Sequence, residues 1–310
     1  MIDYDKVKNN VLKIRDMEDA VEDVRNGMSI NQAAKKNGVC KTTLISVLKD
    51  KEIHDLKREI EANRSHSKVD ATLFLYDLHI PHEDRIALNC AIDFARENYH
   101  IKRVVLGGDI MDCESLSKYD KTKDTASFSD EIEKTKELLD TIRYTFRKAN
   151  DIVYIVGNHE ERLEKYIAKH APELQGVADS LETLLEFDEF GVELVDNRRM
   201  KSLTGTFYSI CGFTVLHGHE MGICPIVSPA HRFLEKAKSN LILGHIHYPD
   251  EKILTTINGN ILRCYTVGTL GDLNPLYKPF NTWGHGFAIM EHRRSNAIVR
   301  NFRIINGNVY

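Results

Sequence analysis

The chain has 310 residues, 42% of them apolar and 28% charged, with a formal net charge of −4 at pH 7. This is enough chain for one large domain and a small accessory one, and the balanced charge excludes a global basic field while leaving room for a local basic face. No run of about 18 apolar residues occurs, so no segment is expected in a membrane; the opening residues lack a signal-peptide pattern, and six cysteines without a CxxC pair point to reduced thiols and a cytoplasmic compartment.

Residues 1–50 read as a small all-α domain. Ser29-Ile-Asn-Gln32 has capping-box form and opens a helix through Lys35, Asn37-Gly38-Val39 makes a turn, and Lys41-Thr42-Thr43-Leu44 opens a second helix running to Lys49. Helix, glycine turn and helix resemble the helix-turn-helix of transposases and small regulators. Four lysines and no acid lie between Lys35 and Lys49, which suits a phosphate-facing surface. Lys36, Lys41, Thr42, Thr43, Ser46 and Lys49 are the candidate DNA contacts; a structural cap or an oligomerisation element is the plainer alternative. Residues 51–69 read as a charged helical linker, with Ile53, Leu56 and Ile60 at helical spacing.

Residues 70–310 change texture. Short β-branched runs alternate with helical patterns, as in an α/β layer architecture: Thr72–Tyr76, Arg103–Leu106, Ile152–Val156, Phe213–Leu216 and Leu241–Leu243. A long amphipathic helix is expected over Ser129–Arg147, and alternating strands over Ile261–Val267, Gly286–Glu291 and Ala297–Ile304.

Each of the first five runs is followed by a polar cluster: Asp77-Leu78-His79, Gly107-Gly108-Asp109-Ile110-Met111-Asp112, Gly157-Asn158-His159-Glu160, His217-Gly218-His219 and Gly244-His245-Ile246-His247. Loops at strand C-termini are where α/β folds place their chemistry. Mixed carboxylate and imidazole donors suit Zn, Mn, Fe or Ni. If the strand ends stay extended, alternate residues of D-x-H and H-x-H point into one site. A lone D-x-H is usually surface decoration, and Asp109 or Asn158 alone would be a turn residue. Five such clusters in order are not explained that way.

The five clusters resemble the signature of the calcineurin-like metallophosphoesterases: D-x-H, G-D-x-x-D, G-N-H-[DE], H and G-H-x-H. The resemblance covers about residues 70–250 and implies a four-layer β-sandwich flanked by helices. It further implies a first metal held by Asp77, His79, Asp109 and His247. Asp109 would bridge to a second metal, completed by Asn158, His217 and His245. Two divalent cations, with Mn foremost for activity, would share and activate a water and align an in-line displacement on a phosphoester. His159 then serves as general acid, its imidazolium held by Asp112 or Glu160, with the resemblance favouring Asp112. His219 is open as a ligand, a phosphate contact or a turn cap, and His82 has the same standing. Cys113 stands where phosphoprotein phosphatases carry an arginine, which argues against that branch.

The expectation is therefore a binuclear phosphoesterase acting on phosphodiesters in nucleic acid. One alternative is a phosphomonoesterase for nucleotides or other small esters with structural N-terminal helices. Another is a DNA-binding regulator with an inert phosphoesterase domain, which should lack ligands, and none is lacking.

Overall fold

The computed structural model describes residues 16–17, 19–24, 28–41, 44, 68–118, 125–176, 180–222, 227–275, 278–293 and 297–310. The chain divides into two compact units, Met1–Ser67 and Lys68–Tyr310.

In the smaller unit, Ser29 caps helix α1 (Ile30–Lys36): its hydroxyl accepts from the Gln32 N–H while the Gln32 side chain receives the Ser29 N–H. The Asn37 side chain folds back to Ala33 O at 3.0 Å, and Gly38 turns the chain at φ +65°. Ala20, Ala33, Ala34 and Leu44 form its core, packed by Met17, Val21, Val24, Met28 and Val39. The remainder of the second expected helix, with Thr42, Thr43, Ser46 and Lys49, lies outside the described residues, as does the charged linker up to residue 67.

The larger unit opens with β1 (Val69–Leu75), β2 (Tyr99–Leu106), β3 (Asp151–Ile155) and β4 (Val192–Val195), paired in parallel. A second sheet holds β5 (Ser209–Ile210), β6 (Phe213–Val215), β7 (Leu241–Leu243), β8 (Asp250–Thr255) and β9 (Ile261–Thr266) in the order β5-β6-β7-β9-β8. The chain then returns to the first sheet. There β10 (His285–His292), β11 (Ala297–Ile305) and β12 (Asn308–Val309) complete the order β12-β11-β10-β1-β2-β3-β4, with β10 antiparallel to β1.

Side chains one apart on a strand face opposite sides, and the central strands end in apolar runs (Leu73–Leu75, Val104–Leu106, Ile152–Ile155) that are buried at every position, so both faces are covered there. On one face Leu73, Leu75, Val104, Leu106 and Tyr154 pack with helices α2 (Arg85–Asn98), α3 (Phe128–Thr145) and α4 (Glu161–His170) through Ala91, Leu138, Ile142 and Ile167. On the other, Phe74, Tyr76, Val105, Val153 and Ile155 meet Phe213, Val215, Ile242 and Tyr265 of the second sheet. The outer face of that sheet is covered by the helix Pro229–Ala237, through Ala230, Phe233 and Leu234. Fully burying one such side chain is worth about 1.5–3 kcal/mol, which makes the alternation a strong determinant of the layering. The result is an α/β unit of four layers with two packed sheets. Among the described residues no helix is long and apolar enough to cross a membrane.

Candidate metal centre

The five polar clusters follow β1, β2, β3, β6 and β7, so one end of the two sheets gathers them. The extended geometry expected for D-x-H and H-x-H is not what aims their side chains. Strand β1 stops at Leu75, and Asp77 (φ 53°) and His79 (φ 52°) adopt the left-handed conformation, as do Asp109 (φ 49°), His245 (φ 68°) and His247 (φ 56°). Such non-glycine residues cost of order 1–3 kcal/mol each and persist only where neighbouring contacts over-determine them.

Those contacts are present. Asp77 N–H donates to Gly108 O at 3.1 Å, His79 N–H to Asp109 O at 3.0 Å and Ile80 N–H to Ile110 O at 2.8 Å, zipping the first two loops together. Buried Glu160 gathers the second and third loops. One oxygen accepts from Asp109 N (3.1 Å) and Gly157 N (2.8 Å), the other from Ile110 N (2.8 Å), Met111 N (3.1 Å) and the Tyr154 hydroxyl (2.9 Å). Two glycines allow the close approach: a Cβ on Gly157 would stand 2.3 Å from Asp109 Oδ1, and one on Gly244 would stand 2.5 Å from Asp77 Oδ2.

Among the described residues four groups of three donors result, two of them made of expected ligands alone. Asp77, His79 and His247 bring one ligand atom each within 4.8 Å of one another, and so do Asp109, His217 and His245. His79 Nε2 faces His247 Nε2 at 3.1 Å, two ring nitrogens aimed at one point. Asp77 Oδ1 is buried 3.3 Å from His247 Nε2 and 3.9 Å from His217 Nε2, yet accepts no hydrogen bond. His217 Nε2 lies 3.1 Å from Asp109 Oδ2 and 3.2 Å from Asn158 Oδ1. A buried carboxylate oxygen without a donor, beside converging imidazoles, is a costly arrangement unless a cation occupies the centre. The donor set therefore fits divalent metal ions.

Electrostatics agree with that reading. Burial works against the Asp109 charge, but His217 and His159 hold its carboxyl well below the ordinary range. Burial likewise opposes an imidazolium at His217, and Asp109 outweighs it, pushing the ring up to about 10. Burial and the neighbouring His217 push His245 down to about 4. The two buried carboxylates, Asp77 and Asp109, thus demand positive charge that either protons or metal ions can supply.

The remaining expected residues surround the donors. Asp112 Oδ1 is 2.9 Å from His159 Nδ1 and equally 2.9 Å from His79 Nδ1, so one carboxylate orients both rings. Burial disfavours the His159 imidazolium, but Asp109 and Asp112 raise it to about 9. Its Nε2 lies 3.8 Å from Asp109 Oδ2. Glu160 holds backbone and stays clear of this pair. His219 Nε2 meets Glu161 Oε1 at 2.7 Å, and His82, largely exposed, lies 3.4 Å from Glu114. In the small unit Lys36 pairs with Asp23 at 2.8 Å, so the acid missing from the Lys35–Lys49 stretch arrives from earlier in the chain; Lys41 is exposed.

Two functional neighbours were not read from the sequence. Arg162 on α4 donates to Asp112 O at 2.8 Å and approaches His159 Nε2 at 3.0 Å, delivering to the centre the guanidinium that Cys113 does not provide. Its Glu160-Glu161-Arg162 setting, directly after Gly157-Asn158-His159, was the available signal. Glu131 on α3 accepts from Cys113 N at 2.6 Å and Glu114 N at 3.1 Å, fixing the turn after Asp112, and burial pushes its carboxyl up to about 7.

Residues 15–54 match the family described as helix-turn-helix, Psq domain. No curated protein matches the chain in sequence. Among solved structures the chain is similar to Vps29 from Cryptosporidium parvum, at 12% identity over 79% of this chain and 96% of that one, with a TM-score of 0.43. It is similar also to wild-type Vps29 complexed with Zn2+ from Entamoeba histolytica, at 13% identity, 77% and 96% coverage and a TM-score of 0.40. Chaetomium thermophilum Vps29 gives 12% identity, 77% and 94% coverage and a TM-score of 0.38. Likeness at that level says nothing about activity. The chain itself combines an α/β unit whose His/Asp clusters can hold metal ions with an N-terminal segment similar to the Psq helix-turn-helix.

Proposed function

We propose that the Lys68–Tyr310 unit is a two-metal phosphoesterase acting on phosphodiesters in nucleic acid, and that the N-terminal helix-turn-helix-like segment recruits it to DNA. One observation carries the first part: Asp109 belongs to the donor group with His217 and His245 and also lies in a group with His79 and His159. A carboxylate shared in this way is what a pair of adjacent cations requires. Asp77, His79, Asp109 and His247 would hold one ion, and Asp109, Asn158, His217 and His245 the other. Bound there, divalent cations supply Lewis acidity toward the phosphoryl oxygens and an activated water.

The chain's own residues do the rest. Asp112 fixes the Nδ1 side of His159; Nε2, which faces Arg162 at 3.0 Å, would carry the proton for the leaving oxygen once Arg162 turns to the phosphate. Arg162 places a guanidinium beside the same ring, where it can hold a phosphate oxygen. Glu160 and Glu131 keep the ligand loops in register through backbone N–H groups.

A second reading, a small-molecule phosphomonoesterase with structural N-terminal helices, gains from Lys36, whose charge is already met by Asp23. The discriminating experiment is Mn-loaded protein tested on bis-p-nitrophenyl phosphate, p-nitrophenyl phosphate and single- and double-stranded DNA. Preference for the diester and DNA supports the first reading, preference for the monoester the second. Silence on every substrate removes both and leaves a DNA-binding regulator with an inert unit.

A further inference from the structure

The segment between β9 and β10 carries the single tryptophan of the chain, and that residue lies against the metal centre. The ring centroids of Trp283 and His247 are 4.2 Å apart at an interplanar angle of 61°. Hydrogen bonds tie its described residues together. The Asn281 amide donates to Leu273 O and Lys278 O, both at 2.9 Å, while its oxygen takes the Trp283 N–H at 2.9 Å. Gly284 N–H donates to His247 O at 2.9 Å, tying the indole segment to the ligand loop itself. Lys278 Nζ stands 5.1 Å from the Trp283 ring centroid, and Phe280 is 96% exposed.

None of these three side chains is needed by the chemistry above, and an aromatic residue as exposed as Phe280 adds nothing to a core. Two aromatic rings and a lysine, on a stapled loop beside a phosphoester centre, match the elements that hold a single strand: π faces for bases and a cation for the backbone. We propose that Trp283, with Lys278 over its ring and the exposed Phe280 three residues before it, is a nucleobase-stacking subsite. The base next to the scissile phosphate takes the place of Lys278 over the indole, and Lys278 moves to meet the neighbouring phosphate. This rests on the phosphoester reading of the same site.

Because Trp283 is the only tryptophan, its fluorescence reports the subsite directly. Zn-loaded protein is titrated with phosphorothioate-linked tetrathymidylate, with an abasic tetramer of the same backbone, and with thymidine 5′-monophosphate. The base-bearing tetramer should quench the emission to saturation, and the abasic tetramer, while competing for the site, should not. Quenching by the tetramer alone identifies a strand; equal quenching by the monophosphate identifies a free nucleotide as the source of the base. In kinetics, Trp283→Ala should lower the ratio of kcat/KM for thymidine 5′-(p-nitrophenyl phosphate) over methyl p-nitrophenyl phosphate by about 5–140-fold, the range expected of one stacked base. Phe280→Ala, at a site too exposed to affect folding, should lower the same ratio less. An unchanged ratio in both variants, or identical fluorescence responses to base-bearing and abasic tetramers, overturns the subsite. If the wild-type protein cleaves no diester, the phosphoester reading fails instead, and the fluorescence titration still decides the stacking.

Discussion

Glu160→Gln isolates the device that holds the second and third ligand loops together. The carboxylate accepts two backbone N–H groups on one oxygen and two more, with the Tyr154 hydroxyl, on the other. A glutamine keeps shape and volume but turns one oxygen into an NH2 donor. Whichever oxygen is replaced, two backbone N–H groups lose their acceptor and face a donor, while Tyr154 can rotate its hydroxyl. Leaving a buried donor unsatisfied costs about 1–3 kcal/mol, so the pair costs about 2–6 kcal/mol. For a domain of this size that is a fall in Tm of about 5–20 °C. The displaced backbone carries Asp109 and leads to Asn158, so metal affinity should fall together with stability, by about 10–100-fold. Thermal unfolding with and without Zn2+, and calorimetric metal titration, measure both. A Glu160→Gln protein with wild-type Tm and wild-type metal affinity would refute the argument that these hydrogen bonds maintain the site.

Three further outcomes are expected. His159→Ala should retain both metals and lose about 10²–10⁴-fold in turnover, with p-nitrophenolate esters suffering least because they need the proton least; equal loss across leaving groups excludes the general-acid role. Burial raises the Glu131 carboxyl from its ordinary 4.5 to about 7, so the folded state holds its proton more tightly than the unfolded chain does. The resulting stability is fully present below about pH 4.5 and is lost as pH rises through 7, and Glu131→Gln should flatten this slope in denaturant unfolding between pH 5 and 8. Deleting residues 1–60 should leave hydrolysis of a small diester nearly unchanged while DNA affinity falls and its log–log salt slope flattens by about 0.9 per lost phosphate contact; equal DNA binding and cutting by the truncated chain makes the helices structural.

The donor residues were legible because each sits within a few positions of a short apolar run, and strand order then brings the runs together without further information. Their conformation was not legible. The x of D-x-H suggested strand alternation, whereas Asp77 and His79 are left-handed, held by hydrogen bonds to Gly108 and Asp109 some thirty residues away. Arg162 and Glu131 reach the site from α4 and α3; only the position of Arg162 just after Gly157-Asn158-His159 signals it, and nothing in the local sequence of Glu131 marks a glutamate that will meet Cys113. Trp283 arrives from a loop beyond the motifs. The strands missed were β4, four residues between the short helices Phe187–Phe190 and Asn197–Thr204, the two-residue β5 and β12, and β8, whose Asp250-Glu-Lys-Ile-Leu-Thr255 pattern is that of a half-exposed edge. The expected helix over Ser129–Arg147 begins instead at Phe128, because the Ser127 hydroxyl accepts from Asp130 N, and ends at Thr145. Capping at Ser29, by contrast, depends on residues three apart and was visible from the start.

The central claim is that two adjacent cations share Asp109, and the electron paramagnetic resonance of Mn(II)-saturated protein tests it most directly. The account predicts two Mn(II) per chain with an exchange-coupled spectrum, and loss of the coupling in Asp109→Asn. A six-line spectrum of isolated Mn(II) at saturation, or coupling that survives Asp109→Asn, would contradict it.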